Sequence, residues 1–256
     1  MESPSHSCFP SYSYPAYLLT ELAGDVLFGG HRSFRSDATA CIARLAPPLQ
    51  VFGKENIPSS GPCLLTFNHY SRLDFNAWWI GLAVASQLPM DAHFVMTDEL
   101  TSPGKRYSPG GMPFSRWLLK GVARVYGFTS MPPMPPREKD VEARARSVRE
   151  VLSFAERTNN PVICLAPEGA DMPGGRLTYP PSGAGRFMVR LAGKGLKVIP
   201  VGVWEQDGCL CVSFGPAYEL TLPGPLSSDE KDRTAAKVVM DNIARLLPSH
   251  LRGEFQ

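Results

Sequence analysis

Two short stretches hold residues whose types and spacing could do chemistry. The first is Asn68-His69-Tyr70-Ser71-Arg72-Leu73-Asp74. A histidine followed five residues later by an aspartate can act as a general base, with the carboxylate accepting from one imidazole nitrogen, fixing the tautomer and stabilising the imidazolium. Five steps along a helix rotate by about 500°, so the pair cannot share one face of a straight helix. They meet only if His69 lies in a turn and Asp74 in the first turn of a following helix. The second stretch is Cys164-Leu165-Ala166-Pro167-Glu168-Gly169-Ala170. A carboxylate and a glycine at the end of an apolar run place an acid and backbone N–H groups where they can orient a hydroxyl or receive an anion. Each stretch has a plainer reading: a surface histidine beside an N-cap aspartate, and an ordinary strand-to-loop turn. No further His or Cys stands at ligand spacing from His69, so neither a metal nor another cofactor is expected.

The elements that must hold these residues follow from periodicity. Leu49 to Phe52, Cys63 to Phe67, His93 to Thr97 and Val162 to Leu165 read as short strands, as do Lys197 to Val203 and Leu210 to Phe214. Pro200 inside one of them predicts an edge, a bulge or a ligand-facing wall. Phe75 to Ser86 reads as a buried helix. A Gly/Pro-rich loop, Thr101 to Pro113, leads to a short helix near Arg116 to Lys120 and a strand near Val122 to Tyr126. Arg137 to Arg157 has one apolar stripe (Val141, Ala145, Val148, Leu152, Ala155) with charges over the rest. Ala184 to Ala192 reads as another helix, and a last one opens on the capping box Ser227-x-x-Glu230. Strands separated by helices predict an α/β fold: a mostly parallel central sheet flanked by helices, with function at the strand C-terminal ends. Residues 1–48 form a small helical N-terminal subdomain, and 49–256 the α/β domain.

Composition narrows the class. The 256 residues are 43% hydrophobic and 20% charged with a net charge of +2, which argues for a globular chain and against a nucleic-acid partner. The six cysteines form no CxxC pair and read as reduced, buried thiols of a cytoplasmic protein. The first Lys or Arg is Arg32, so no signal peptide is expected. The stretch Phe75 to Met90 is too short for a membrane span. Contact with a membrane surface is expected instead from the Tyr/Leu-rich start with Phe28, Arg32, Phe34 and Arg35, unless that region is a cap on the core. Arg186, Arg190 and Lys194 share one helix face, either solvated or facing the phosphates of CoA or lipid.

In combination, the order N-H-x-x-x-x-D, P-E-G and V-I-P-V-G-V resembles the glycerolipid acyltransferases typified by 1-acylglycerol-3-phosphate (lysophosphatidic acid) acyltransferases, over about Leu49 to Tyr218. The resemblance implies transfer of an acyl group from a thioester, on CoA or an acyl-carrier protein, to a lysolipid hydroxyl at the cytoplasmic face of a membrane. It makes His69 the base, Asp74 its partner, and Glu168 and Gly169 part of the acceptor site. A thioester is already activated, so a base and oxyanion donors suffice, and Ser71 or nearby N–H groups could donate. With Asn68 and Ala170, these complete the candidate substrate contacts, together with Arg176, which the preceding Gly174-Gly175 could let fold back toward an acceptor phosphate. Two departures stand out. The family's E-G-T-R is Glu168-Gly169-Ala170-Asp171 here, and the stretch Gly121 to Gly127 ends in glycine where the family's strand ends in arginine. These losses leave room for two other readings, a non-catalytic lipid- or carrier-binding module and a thioester hydrolase.

Overall fold

Short apolar runs bounded by glycine and proline make the sheet. A computed structural model describes residues 9–99, 111–134, 137–170 and 173–255. Cys8, Asp171 and the 101–110 part of the expected loop lie outside the described residues. The strands are β1 (Gln50–Phe52), β2 (Cys63–Phe67), β3 (His93–Thr97), β4 (Thr129–Met131), β5 (Val162–Leu165), β6 (Lys197–Gln206) and β7 (Cys209–Phe214). They form one sheet in the order β1-β7-β6-β2-β5-β3-β4, parallel from β6 through β4, with a β6–β7 antiparallel hairpin turning at Asp207-Gly208. β2 and β5 are buried at every residue, which is why they carry no polar alternation. The five described cysteines are buried and unbridged.

The helices are α1 (Ala16–Phe28), α2 (Phe34–Ile42), α3 (Trp78–Gln87), α4 (Gly111–Tyr126), α5 (Val141–Arg157), α6 (Ala184–Ala192) and α7 (Ser228–Ala244). The chain leaves β2 toward β3 but leaves β5 back toward β6, on the other side of β2. Right-handed crossovers in opposite directions put their helices on opposite faces. Accordingly α1 packs on α4 and α2 on α3 over one face, while α5 packs on α6 and α6 on α7 over the other. The exits of β2 and β5, side by side with diverging connections, therefore flank a crevice.

Several expected elements differ. Val122 to Tyr126 is not a strand but the last turns of α4, because Leu118, Leu119, Val122 and Val125 repeat at helical spacing. The strand is β4, three residues further on, and it exits into Pro132-Pro133 rather than a glycine. Pro200 lies in β6, an inner strand. It sits where β7 has just ended, opposite Gly215, whose N–H donates to the Pro200 carbonyl at 2.9 Å. A Cβ on Gly215 would lie 2.8 Å from Pro200 Cγ, so glycine makes room for the ring. The expected apolar stripe of α5 divides: its buried face is Ser147, Val151 and Ala155, and Val141 is 63% exposed. The capping box of α7 is formed as expected.

His93, on β3, is buried against Phe154 of α5 (ring centroids 4.0 Å apart), with Nε2 at 2.9 Å from Thr129 Oγ1 of β4. Burial pushes its pKa down from the ordinary 6.5 to about 4, against a smaller opposing effect of the Gly127 backbone carbonyl, which favours a protonated ring. The folded protein keeps this ring neutral where the unfolded chain protonates, so stability is lost as pH falls from 6.5 toward 4. Between pH 7 and pH 5 this ring is expected to remove about 2 kcal/mol of unfolding free energy. Denaturant titrations of wild type and His93→Gln at the two pH values check it; the same pH sensitivity in both would refute the assignment.

Candidate active site

The register pairs Thr66 of β2 with Leu165 of β5, so Asn68-His69 and Ala166-Pro167-Glu168 emerge next to each other at the sheet's C-terminal edge. There the Glu168 carboxylate, 6% exposed, holds two loops at once. Its Oε2 accepts from the backbone N–H of His69 at 2.7 Å. Its Oε1 accepts from the backbone N–H and hydroxyl of Thr178 at 2.8 and 3.3 Å. Burial raises its pKa, while these N–H donors and the charge of the His69 ring pull it down. A carboxylate with both oxygens engaged positions the site. Asn68, expected at the substrate, is a correction: it is fully buried and its amide exchanges two hydrogen bonds (2.8 and 2.7 Å) with the backbone of Val203 on β6.

A second buried carboxylate holds the other half of the loop. Glu205, near the end of β6, accepts from Arg72 Nε at 2.5 Å and Nη2 at 2.8 Å, and from the hydroxyls of Tyr70 at 3.1 Å and Tyr12 at 2.6 Å. The Arg72 guanidinium also lies 3.8 Å over the Phe9 ring. Burial, reinforced by Glu205, raises the pKa of both tyrosines, so both remain donors. Sequence reading missed Glu205, Tyr12 and the role of Arg72. The one local signal was a glutamate directly after the apolar run Val201 to Trp204, since a carboxylate carried into a sheet must find partners.

Between these anchors sit the residues singled out for chemistry. His69 is half-buried with Nδ1 shielded from solvent. Ser71 is half-buried between the anchored Tyr70 and Arg72. Asp74 is not in the first turn of a helix, because α3 starts only at Trp78; it stands exposed on the Leu73-Asp74 turn with φ 63°. Asn76 caps that start from outside, its Oδ1 accepting from Trp78 N at 3.1 Å. Gly169 is exposed at φ 68°, and its N–H donates to the Ala166 carbonyl at 3.1 Å, so it is committed locally; Ala170 is half-buried. The loop after Gly174 lies against Tyr70 and Ser71. Gly175, at φ 65°, packs so closely that a Cβ would lie 2.9 Å from the Tyr70 ring and 3.0 Å from the Ser71 carbonyl. Arg176, next to it, is exposed. Arg124, expected on a strand, ends α4 and donates to the Val26 carbonyl at 2.6 Å. Among the described residues, no three His, Cys, Asp or Glu side chains cluster as metal ligands.

This places an imidazole on a loop anchored from both sides, with a buried carboxylate behind that loop, an arrangement suited to taking a proton from a hydroxyl. A model of the Acyltransferase family matches residues 48–204. The crystal structure of the 1-acyl-sn-glycerophosphate (LPA) acyltransferase PlsC from Thermotoga maritima superposes with a TM-score of 0.54 at 16% identity, covering 90% of this chain and 88% of that one. At that identity the likeness is one of fold. No curated protein sequence matches the chain.

Glu168→Gln tests the double anchor. An amide can accept at only one of the two positions and turns N–H toward N–H at the other. The variant is expected to lose about 1–3 kcal/mol of stability. Equilibrium unfolding reads this; a variant as stable as wild type would mean the two loops do not depend on the carboxylate.

Proposed function

Because the chain belongs to the Acyltransferase family, we propose that it moves a fatty acyl group from a thioester, on CoA or an acyl-carrier protein, to the hydroxyl of a lysolipid such as 1-acylglycerol-3-phosphate. The observation that carries this reading is His69 at the β2 exit, on a loop anchored by Glu168 on one side and Glu205 on the other. His69 takes the proton from the lysolipid hydroxyl as that oxygen bonds to the thioester carbonyl carbon. Glu168 holds the His69 backbone in place while this happens. The C–S bond then breaks, and the proton passes from the imidazolium to the leaving thiolate. Asp74 is the residue we pair with His69 as tautomer partner, from the turn at the crevice edge. Arg176, on the loop folded against Ser71, is the cation we place at an acceptor phosphate. Transfer from a labelled acyl thioester to a panel of lysolipids tests the reading. His69→Ala is expected to abolish it with the fold intact, and Asp74→Asn to lower kcat by a factor on the order of 10⁴. Near wild-type turnover in His69→Ala would overturn the base assignment.

A lysolipid is collected from a bilayer, and we place the enzyme on the cytoplasmic face of one. Among the described residues no helix is long and apolar enough to cross a membrane. The paired helices α1 and α4 instead expose Phe28 (90%), Leu27, Phe114 and Trp117, with Lys120 beside them. Of the residues expected at that surface, Arg32 and Phe34 turn inward. Arg32 pairs with Asp37, Asp25 and Glu21, and Phe34 is buried among Phe94, Tyr126 and Phe128. Co-sedimentation with anionic vesicles is expected and should weaken at high salt. Phe28→Ser with Trp117→Ser should reduce it by about tenfold or more. Unchanged sedimentation of the double variant would remove this patch from the membrane contact.

A further inference from the structure

On the sheet face opposite the α1–α4 patch, α5 and α6 leave a groove of about 480 Å³. Its floor is the outer side of the α5 stripe: exposed Val141 with half-buried Val148 and Leu152, the last also packed on the core. Arginines stand along it: Arg144 and Arg149 from α5 and Arg190 from α6. Among the described residues no ion pair engages these three, whereas Arg137, which also lines the groove, is bound to Glu99 and Asp140, and their neighbours Lys194 and Arg186 pair with Glu156 and Asp229. Arginines without a close ion-pair partner beside partly exposed aliphatic side chains suit a partner that is acidic and apolar at once.

The extent of the groove decides what that partner is. From Val141 to Leu152 it follows α5 for roughly 16 Å at 1.5 Å per residue, the length of a helix–helix contact. A mononucleotide bearing phosphates would leave most of the aliphatic floor uncovered. The upper end opens at the catalytic edge of the sheet. There Arg144 donates to the Pro133 carbonyl just past β4 at 2.9 Å, and the Ser147 hydroxyl donates to the Ser130 carbonyl within β4 at 2.7 Å. Anything lying in the groove thus ends at the edge where His69 works, and the bilayer on the opposite face leaves it accessible.

Resting on the acyl-transfer reading above, we propose that this groove docks an acidic helix of an acyl-carrier protein, which delivers the acyl thioester on its flexible arm to the β2–β5 crevice. The test pairs direct binding with turnover on two donors. Fluorophore-labelled hexadecanoyl-acyl-carrier protein is titrated with the full chain at about 0.05 M and about 0.5 M salt, where screening lengths differ about threefold. Transfer is then measured from hexadecanoyl-carrier protein and from hexadecanoyl-CoA. Wild type is expected to bind the carrier, more weakly at high salt. Arg149→Glu with Arg190→Glu, both exposed positions, should weaken binding by at least about tenfold and lower carrier-dependent kcat/KM in step, leaving CoA-dependent transfer unchanged. Val141→Asp should do the same through the floor. Salt-sensitive binding lost in these variants, even with no transfer from either donor, supports the docking while failing the acyl-transfer reading. No carrier binding by wild type, equal binding by the charge-reversed variant, or an equal loss of CoA-dependent transfer overturns the proposal.

Discussion

One buried carboxylate ties the candidate site together. Glu168 leaves β5 beside β2, and its two oxygens bind the backbone of His69 on one side and Thr178 on the other. An anion this deep is tolerated only when its lone pairs are occupied, so the loops must stay where their N–H groups reach it. The imidazole then has a fixed place and a negative charge behind it. Both properties come from a single residue that lies 99 positions from His69 in the sequence.

Glu205 does a related thing from the other side. It gathers Arg72, Tyr70 and Tyr12, and Arg72 in turn covers Phe9. The segment before α1 is thereby attached to the loop that carries His69. Tyr12 and Tyr14 also pack on Trp79 of α3, the helix that follows the loop. The N-terminal segment is therefore part of the site's scaffold, and α1, which carries Phe28 outward, starts directly after it.

Two peptide regions explain the family's departures in local terms. The stretch Gly121 to Tyr126 belongs to α4, where Gly121 allows Val26 of α1 to approach: a Cβ there would lie 2.6 Å from Val26 Cγ1. The glycine that stands where the family has an arginine is Gly127, which follows the helix at φ 68° with its N–H donating to the Arg124 carbonyl, so it does not stand at a strand end. The strand that does end at the site edge, β4, runs into Pro132-Pro133, and the arginine that follows, Arg137, is bound to Glu99 and Asp140.

The amino-acid sequence by itself determined the fold class, the limits of β2 and β3, the capped start of α7 and the two strand exits that meet at the crevice. Each of these is written in a few consecutive residues: an apolar run, a capping box, a motif directly after a strand. The tertiary structure alone decided which side of each element faces inward and which distant residues meet. Arg72 and Glu205 are 133 residues apart, and nothing near either names the other. The α5 stripe has the right period for a buried face, yet period does not say how far neighbouring elements extend to cover it. Val151 and Ala155 find the sheet, and Val141 finds solvent. Helical and extended readings of Val122 to Tyr126 were both compatible with its short apolar run. The packing of α4 against α1 settled it, because only a helix presents Gly121 to Val26 while burying Val122 and Val125.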